Sequence, residues 1–252
     1  MKKILAFVLL AAMLVLAMAS CSAPDAGDGD KYALQLTAEQ YNNIKNKSAG
    51  VMTYDEYMAA EMDATVVIEA YVQATQSWWD NKITVYLADL DGAYFAYEMA
   101  CTEADAAKLV PGTKIKVTGV KGAWAGEVEI MQCSFEFASN ANDKYIAPAL
   151  LANSFITDSA KAIAYQNQLV AVNGATIKAI EYKNGEPGDD IYVTIEVNGV
   201  ELSYCVERYL TAPDSAVYTT VGTLAVGDTV DVEGFLYWYD GVNTHITKIV
   251  KK

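Results

Sequence analysis

Aromatic side chains in turn-like stretches are the first candidates for chemistry in this chain. Trp78 and Trp79 stand in Gln76-Ser77-Trp78-Trp79-Asp80-Asn81, Trp124 in Gly122-Ala123-Trp124-Ala125-Gly126, and Trp238 in Tyr237-Trp238-Tyr239-Asp240-Gly241. A flat apolar ring with a polar edge stacks on a sugar or on another planar or amphipathic group. Asp80, Asn81, Glu127 and Asp240 lie beside these rings, where they can hydrogen-bond hydroxyls. The chemistry this implies is binding.

Catalysis has less behind it. The carboxylate pairs Asp89/Asp91, Glu127/Glu129 and Asp189/Asp190 fall in turns or on outward strand positions, which reads as solvated charge. Glycoside hydrolysis needs two carboxyls facing each other across a cleft. Calcium at Asp89/Asp91 would need six or more oxygens, and no EF-hand spacing is present. His245 is the one histidine, and no serine sits in a nucleophile-elbow setting. HExxH, CxxC, GxxxxGK(S/T) and GxGxxG do not occur. Cys205 and His245 could meet in the second half, as a chance pairing rather than a thiol nucleophile. The expectation is no enzyme, no catalytic residue, no metal and no cofactor.

The elements that must position the rings come from a pattern that occurs twice. Leu109–Gly126 returns as Leu224–Gly241, with Gly112/Gly227, Gly119/Gly234 and Gly126/Gly241 each 115 residues apart. Between the first two glycines of each set lies a strand, Ile115/Val117 against Val230/Val232. Upstream, Thr37 with Gln40 and Thr53 with Glu56 fit capping boxes, which predict short helices over 38–46 and 54–61. Strands are predicted over 66–74, with Ile68, Ala70 and Val72 inward and Glu69, Tyr71 and Gln73 on the other face. They continue over 82–88 (Ile83, Val85 and Leu87 inward) and over 93–100 (Phe95, Tyr97 and Met99 inward). Asp89-Leu90-Asp91-Gly92 makes a tight turn. Thr102 caps a helix over 103–109, and strands over 113–118 and 127–135 follow.

The second half repeats this order. Thr157 is expected to cap a helix through Tyr165. Strands are predicted over 169–178, 191–197 and 200–206, with Asn198-Gly199 as a type I′ hairpin turn. Leu202, Tyr204 and Val206 match Phe95, Tyr97 and Met99. Tyr209–Thr223 carries an eight-residue insertion in the helical connection. Three strands, a helix and two more strands is the order of the OB-fold, a five-stranded Greek-key barrel. The predicted fold class is mainly β with short helices: two tandem five-stranded OB-fold-like Greek-key barrels, each preceded by a short helix.

OB-folds bind ligands on the face of strands two and three, flanked by the loops after strands one and four. That selects Trp78, Trp79, Tyr86 and Trp124 in the first copy, and Tyr192, Trp238 and Tyr239 in the second, as candidate ligand-binding residues. Thr84 and Thr194 are outward neighbours of the two strand tyrosines. The competing reading is that these rings cap the barrel ends or pack the barrels together. Trp78 and Trp79 should point to opposite sides, as strand neighbours do.

The N-terminus gives an address. Lys2 and Lys3 precede an unbroken apolar run from Ile4 to Met18, which is shorter than the roughly 20 residues of a membrane span but suits a signal peptide. Met18-Ala19-Ser20-Cys21 resembles the bacterial lipobox, with Met18 in place of the usual Leu. The resemblance implies that Cys21 is lipidated and becomes the first mature residue. Ser22–Asp30 has no large apolar side chain and reads as a flexible tether. The formal net charge is −14; such a field repels phosphate backbones and argues against a nucleic-acid partner and a polybasic membrane contact. Cys101, Cys133 and Cys205 are too few for a disulfide framework. They read as buried apolar residues, with a Cys101–Cys133 bridge left open.

The lipobox, the Thr53–Glu61 lead-in, Gln76–Asn81, and Pro111-Gly112-Thr113 through Gly126-Glu127-Val128-Glu129-Ile130 together resemble uncharacterised tandem OB-fold lipoproteins of Gram-positive anaerobic bacteria. The likeness spans most of the mature chain. It implies a fold and a place on the outer face of the cytoplasmic membrane, and it brings no activity with it. The expected organisation is a signal peptide over 1–20, the lipidated cysteine and tether over 21–36, a helical lead-in with barrel one over 37–137, a linker over 138–156, and a helix with barrel two over 157–252. The expected partners are the membrane, through the lipid on Cys21, and a glycan or another envelope protein.

Overall fold

Two capping boxes open the folded chain. In the computed structural model, which describes residues 36–138 and 144–252, the Thr37 and Thr53 hydroxyls accept the backbone N–H groups of Gln40 and Glu56, whose side chains reach back to the caps. They start α1 (Ala38–Lys45) and α2 (Tyr54–Ala59). The leader, Cys21 and the tether lie outside the described residues. Among the described residues no helix is long and apolar enough to cross a membrane.

β1 (Thr65–Thr75), β2 (Lys82–Ala88), β3 (Ala93–Ala100), β4 (Lys114–Trp124) and β5 (Glu127–Phe137) close into a barrel in the order β1-β2-β3-β5-β4. Thr102 caps α3 (Glu103–Ala106) between β3 and β4. β3 and β5 pair parallel, as a Greek-key closure requires, and the other neighbours pair antiparallel. The second half forms a six-stranded sheet, β10-β11-β9-β8-β7-β6. Its strands are β6 (Leu150–Leu151), β7 (Leu169–Tyr182), β8 (Ile191–Val197), β9 (Val200–Val206), β10 (Thr229–Phe235) and β11 (Asn243–Lys251), and β10 also pairs with β7. α4 (Ser159–Ala162) lies between β6 and β7, and α5 (Ala216–Val221) fills the insertion. The protein is thus mainly β, with a closed five-stranded barrel and a second sheet.

The glycines common to the two copies have a backbone explanation. Gly112 and Gly227 have φ of +88° and +94°, which costs a side-chain-bearing residue strain. Gly119 and Gly234 have ordinary φ values but lie at register shifts, where atoms of the paired strands β5 and β11 leave no room for a Cβ.

Four expectations are corrected. Asp158, not Thr157, precedes α4, and it makes no side-chain cap bond. On β3, Tyr94, Ala96 and Met99 enter the barrel core while Phe95 and Tyr97 face outward. The cause is a bulge: Ile83 pairs with Met99 but Val85 with Ala96, and Glu98 takes φ +45°, so the inward parity flips partway along the strand. On β1, Glu69, Tyr71 and Gln73 are buried rather than solvated. The lead-in and the segment before β6 cover that outer face, through Ile44 and Tyr145 packed on Tyr71. Finally, Asp89 and the Glu127/Glu129 pair are buried rather than solvated charge. The Asp89 carboxylate accepts from Lys47 at 2.5 Å, from the Tyr94 hydroxyl at 2.8 Å and from two backbone N–H groups of its own turn. Cys101, Cys133 and Cys205 are buried free thiols.

Candidate functional site

The loop after β1 separates its two tryptophans by local geometry. Trp79 and Lys82 exchange backbone hydrogen bonds of 2.9 and 3.0 Å around Asp80 and Asn81, both at positive φ. This tight turn throws the Trp79 ring outward, 66% exposed. Trp78 turns inward, and its indole N–H donates to the Cys101 carbonyl at 2.8 Å. The opposed arrangement expected of this pair is what the structure has.

Trp79 stands over a groove of about 430 Å³ on the outer face of β2 and β3. Its floor includes Gln76, Ile83 and Thr84, and the bulge puts Tyr97 and Glu98 on its edge. Lys82 pairs with Glu98 at 2.8 Å, and the Glu98 N–H donates to the Thr84 hydroxyl at 3.1 Å, which fixes the bulge. The far wall comes from the segment after β9. There the Glu207 carboxylate accepts the N–H groups of Tyr209 (3.1 Å) and Leu210 (2.7 Å), and burial pushes its pKa up. The Ser77 N–H donates to the Tyr209 carbonyl at 2.7 Å and joins the two walls. Trp79, Tyr97 and Tyr209 are the exposed rings. With them stand an amide, two hydroxyls and two carboxylates, a set that stacks and hydrogen-bonds.

The other candidates sit elsewhere. Tyr86 does not face solvent: it is buried in a seam between the barrel and the second sheet, stacked on Phe235 with centroids 4.4 Å apart. Its hydroxyl lies 2.6 Å from Nδ1 of His245. Burial holds His245 down to about 4, so the ring is neutral at pH 7. The Tyr86 oxygen also takes the Gln76 amide at 3.5 Å, and the hydroxyl and the neutral ring share one hydrogen bond whose donor depends on the imidazole tautomer. Tyr86→Phe is therefore expected to leave the buried Nδ1 of His245 without its partner and cost about 1–3 kcal/mol, read as a shift of the urea midpoint.

Trp238 is also buried. Its backbone N–H donates to Glu127 Oε2 at 2.8 Å, and its ring lies so close over Gly126 that a Cβ there would meet Cδ1 at 2.7 Å. Trp124 and Tyr239 are 61% and 53% exposed, outside the groove, on two hairpins joined by Asp240 N–H to the Ala125 carbonyl at 2.7 Å. Tyr192 is exposed on β8 and does not line the groove. Of the candidate rings only Trp79 does. The sequence reasoning missed Tyr97, because the bulge is invisible to strict alternation. It also missed Tyr209, although the insertion that begins there was visible.

No protein-family model and no curated protein matches the chain. Solved structures similar to it include the Ifi202 HINa domain in complex with 20bp dsDNA, at 12% identity and TM-score 0.36, over 75% of this chain and 99% of that one. A murine DNA binding protein bound with ds DNA matches at 11% identity and TM-score 0.37, over 74% and 96%. The asparaginyl-tRNA synthetase of Pyrococcus horikoshii, complexed with asparaginyl-adenylate, matches at 16% identity and TM-score 0.28. This chain covers 33% of its own length in that match and 19% of the synthetase. These neighbours overturn the expectation, drawn from charge, that nucleic acid is excluded as a partner. At such scores they assign no partner to this chain.

Proposed function

We propose that this protein is a binding domain that holds a hydroxyl-rich ligand, a glycan, in the groove over β2 and β3. One observation carries the reading: three exposed rings from three chain segments, Trp79, Tyr97 and Tyr209, converge on one groove among hydrogen-bonding side chains. The role is non-catalytic. The lipobox-like Met18–Cys21 supports lipidation at Cys21 and a place on the outer face of the bacterial cytoplasmic membrane. The pairings β7·β8, β8·β9, β9·β11, β11·β10 and β10·β7 repeat those of the barrel, parallel pair included, and support a second OB-like barrel.

A glycan array, followed by titration of intrinsic tryptophan fluorescence, tests the binding. Trp79→Ala is expected to weaken a positive glycan about tenfold, or roughly 1.4 kcal/mol, with the urea midpoint unchanged. Single-stranded oligonucleotides, whose base faces stack on the same rings, are titrated alongside, together with double-stranded ones. Binding that survives both Trp79→Ala and Tyr97→Ala would remove the groove reading. The exposed pair Trp124 and Tyr239, outside the groove, favours a second reading as an envelope scaffold. A membrane pull-down that fails for Trp124→Ala, with no glycan response in wild type, would select it.

A further inference from the structure

The groove has walls from both halves of the chain, so its shape depends on the seam that joins them. Tyr237, next to Trp238, and Leu210, next to Tyr209, pack into one seam cluster with Tyr86, Phe95 and Phe235. On the side of β5, the two halves are stitched by polar groups. Gln166 bonds the Gly126 carbonyl at 2.9 Å and the Val128 N–H at 3.0 Å, and Asp240 bonds the Ala125 carbonyl. Amid these bonds lies the fully buried Glu127. One of its oxygens accepts the Trp238 N–H; the other has no hydrogen-bond partner among the described residues, and neither has the Asn167 carboxamide oxygen.

Among the described residues no cation acts on this carboxyl. Burial acts on it most and raises its pKa; the neighbouring Asn167 carboxamide and the Trp238 N–H, both neutral, oppose this, and the Glu129 carboxylate two residues along β5 adds to it. The hydroxyls of Tyr54 and Tyr57 on the α2 side, Tyr86 on β2 and Tyr237 on the β10–β11 loop also feel its charge.

We propose that Glu127 is a proton-dependent latch: its neutral carboxyl holds the β10–β11 loop against the barrel, and its ionisation loosens the seam and with it the Glu207–Tyr209 wall of the groove. An ionised Glu127 is a buried negative charge beside a second carboxylate with no cation to offset it, and a buried unpaired charge is expelled or hydrated. The consequence for ligand binding rests on the groove being the binding site; the latch itself does not.

The direction of the pH effect follows from the shift. Burial raises Glu127 from 4.5 to about 8. Between these values the folded chain holds a proton that the unfolded chain has lost, so its contribution to stability falls as pH rises and is gone above about 8. Hydrogen exchange of the full chain, corrected for intrinsic rates, reads the latch without any ligand. Across pH 5 to 8, peptides covering 207–211 and 236–241 should exchange faster in wild type as pH rises, by up to about tenfold per pH unit, and the rise should level off above about 8. In Glu127→Gln, which keeps the acceptor for Trp238, they should show no such rise. Carbon-13 NMR of the glutamate carboxyls checks the same point, with Glu127 titrating near 8, and lower in Glu129→Gln. Equal pH dependence in wild type and Glu127→Gln, or a Glu127 carboxyl that titrates near 4.5, would overturn the latch. A positive exchange result with no ligand bound at any pH would leave the latch standing and count against the groove.

Discussion

Gly234→Ala is expected to destabilise the fold by about 3 kcal/mol or more, read from the urea midpoint at constant slope. The backbone at Gly234 is not in the left-handed region, so the cost is one of space. A Cβ there would run into the His245 carbonyl oxygen and lie 2.7 Å from Thr244 Cγ2 and 2.9 Å from the His245 carbonyl carbon. Backbone cannot swing aside as a long side chain can, so β11 would have to move off β10. That movement would reach the seam, because His245 carries the bond to Tyr86. The barrel has the same feature at Gly119, where a Cβ would meet Cys133 Cβ and Ile130 Cγ2 at 2.6 Å and the Met131 carbonyl oxygen at 2.8 Å. Gly222→Ala is the control. It sits in ordinary helical backbone, and its nearest atom, the Tyr182 hydroxyl at 3.3 Å, can shift. Its effect should stay within about 1 kcal/mol. Equal effects at 222 and 234 would mean that close approach of the paired strand is not what the repeated glycine serves.

Lys114→Met is expected to cost about 3–5 kcal/mol, the largest single effect among the charged residues. Lys114 and Glu69 are buried and paired at 2.8 Å on the covered outer face of the barrel. The ammonium also donates to the Asn46 carbonyl at 2.8 Å and lies 5.5 Å from the centre of the Tyr71 ring, while Ser48 donates to Glu69 at 2.6 Å. Methionine fills the space of the lysine stem and leaves the carboxylate buried without its cation. The double variant Glu69→Leu/Lys114→Met removes both charges and should recover most of the loss, because an apolar pair of similar volume has no desolvation cost. Urea unfolding of the two singles and the double gives the coupling energy directly. A double variant as unstable as the sum of the singles would show that the pair does not act as a unit.

These two sites differ in how far the sequence announced them. The glycines were legible, since three of them recur at one spacing and each answers to a backbone requirement. The ion pair was not. Glu69 alternates with apolar neighbours and so reads as solvated, and nothing local says that α1 and Tyr145 will cover it. Tyr86 was misplaced for the same reason. Its position on the outer face of β2 was read correctly, but that face is taken by Phe235 and His245, about 150 residues later in the chain.

The sequence by itself determined what depends on a few neighbouring residues: the capping boxes at Thr37 and Thr53, the Asn198-Gly199 turn, the strands over 191–197 and 200–206, and the opposed tryptophans at 78 and 79. Such features form from hydrogen bonds and φ preferences spanning two to four residues, which residue type encodes directly. Tertiary structure alone decided which outer faces meet solvent and which meet another part of the chain. The bulge at Glu98 turned Tyr97 outward, the seam buried Tyr86 and Trp238, and the segment after β9 brought Tyr209 to the groove. Burial of a side chain is set by whatever packs over it, and here the packing partners are separated by tens to hundreds of residues along the chain.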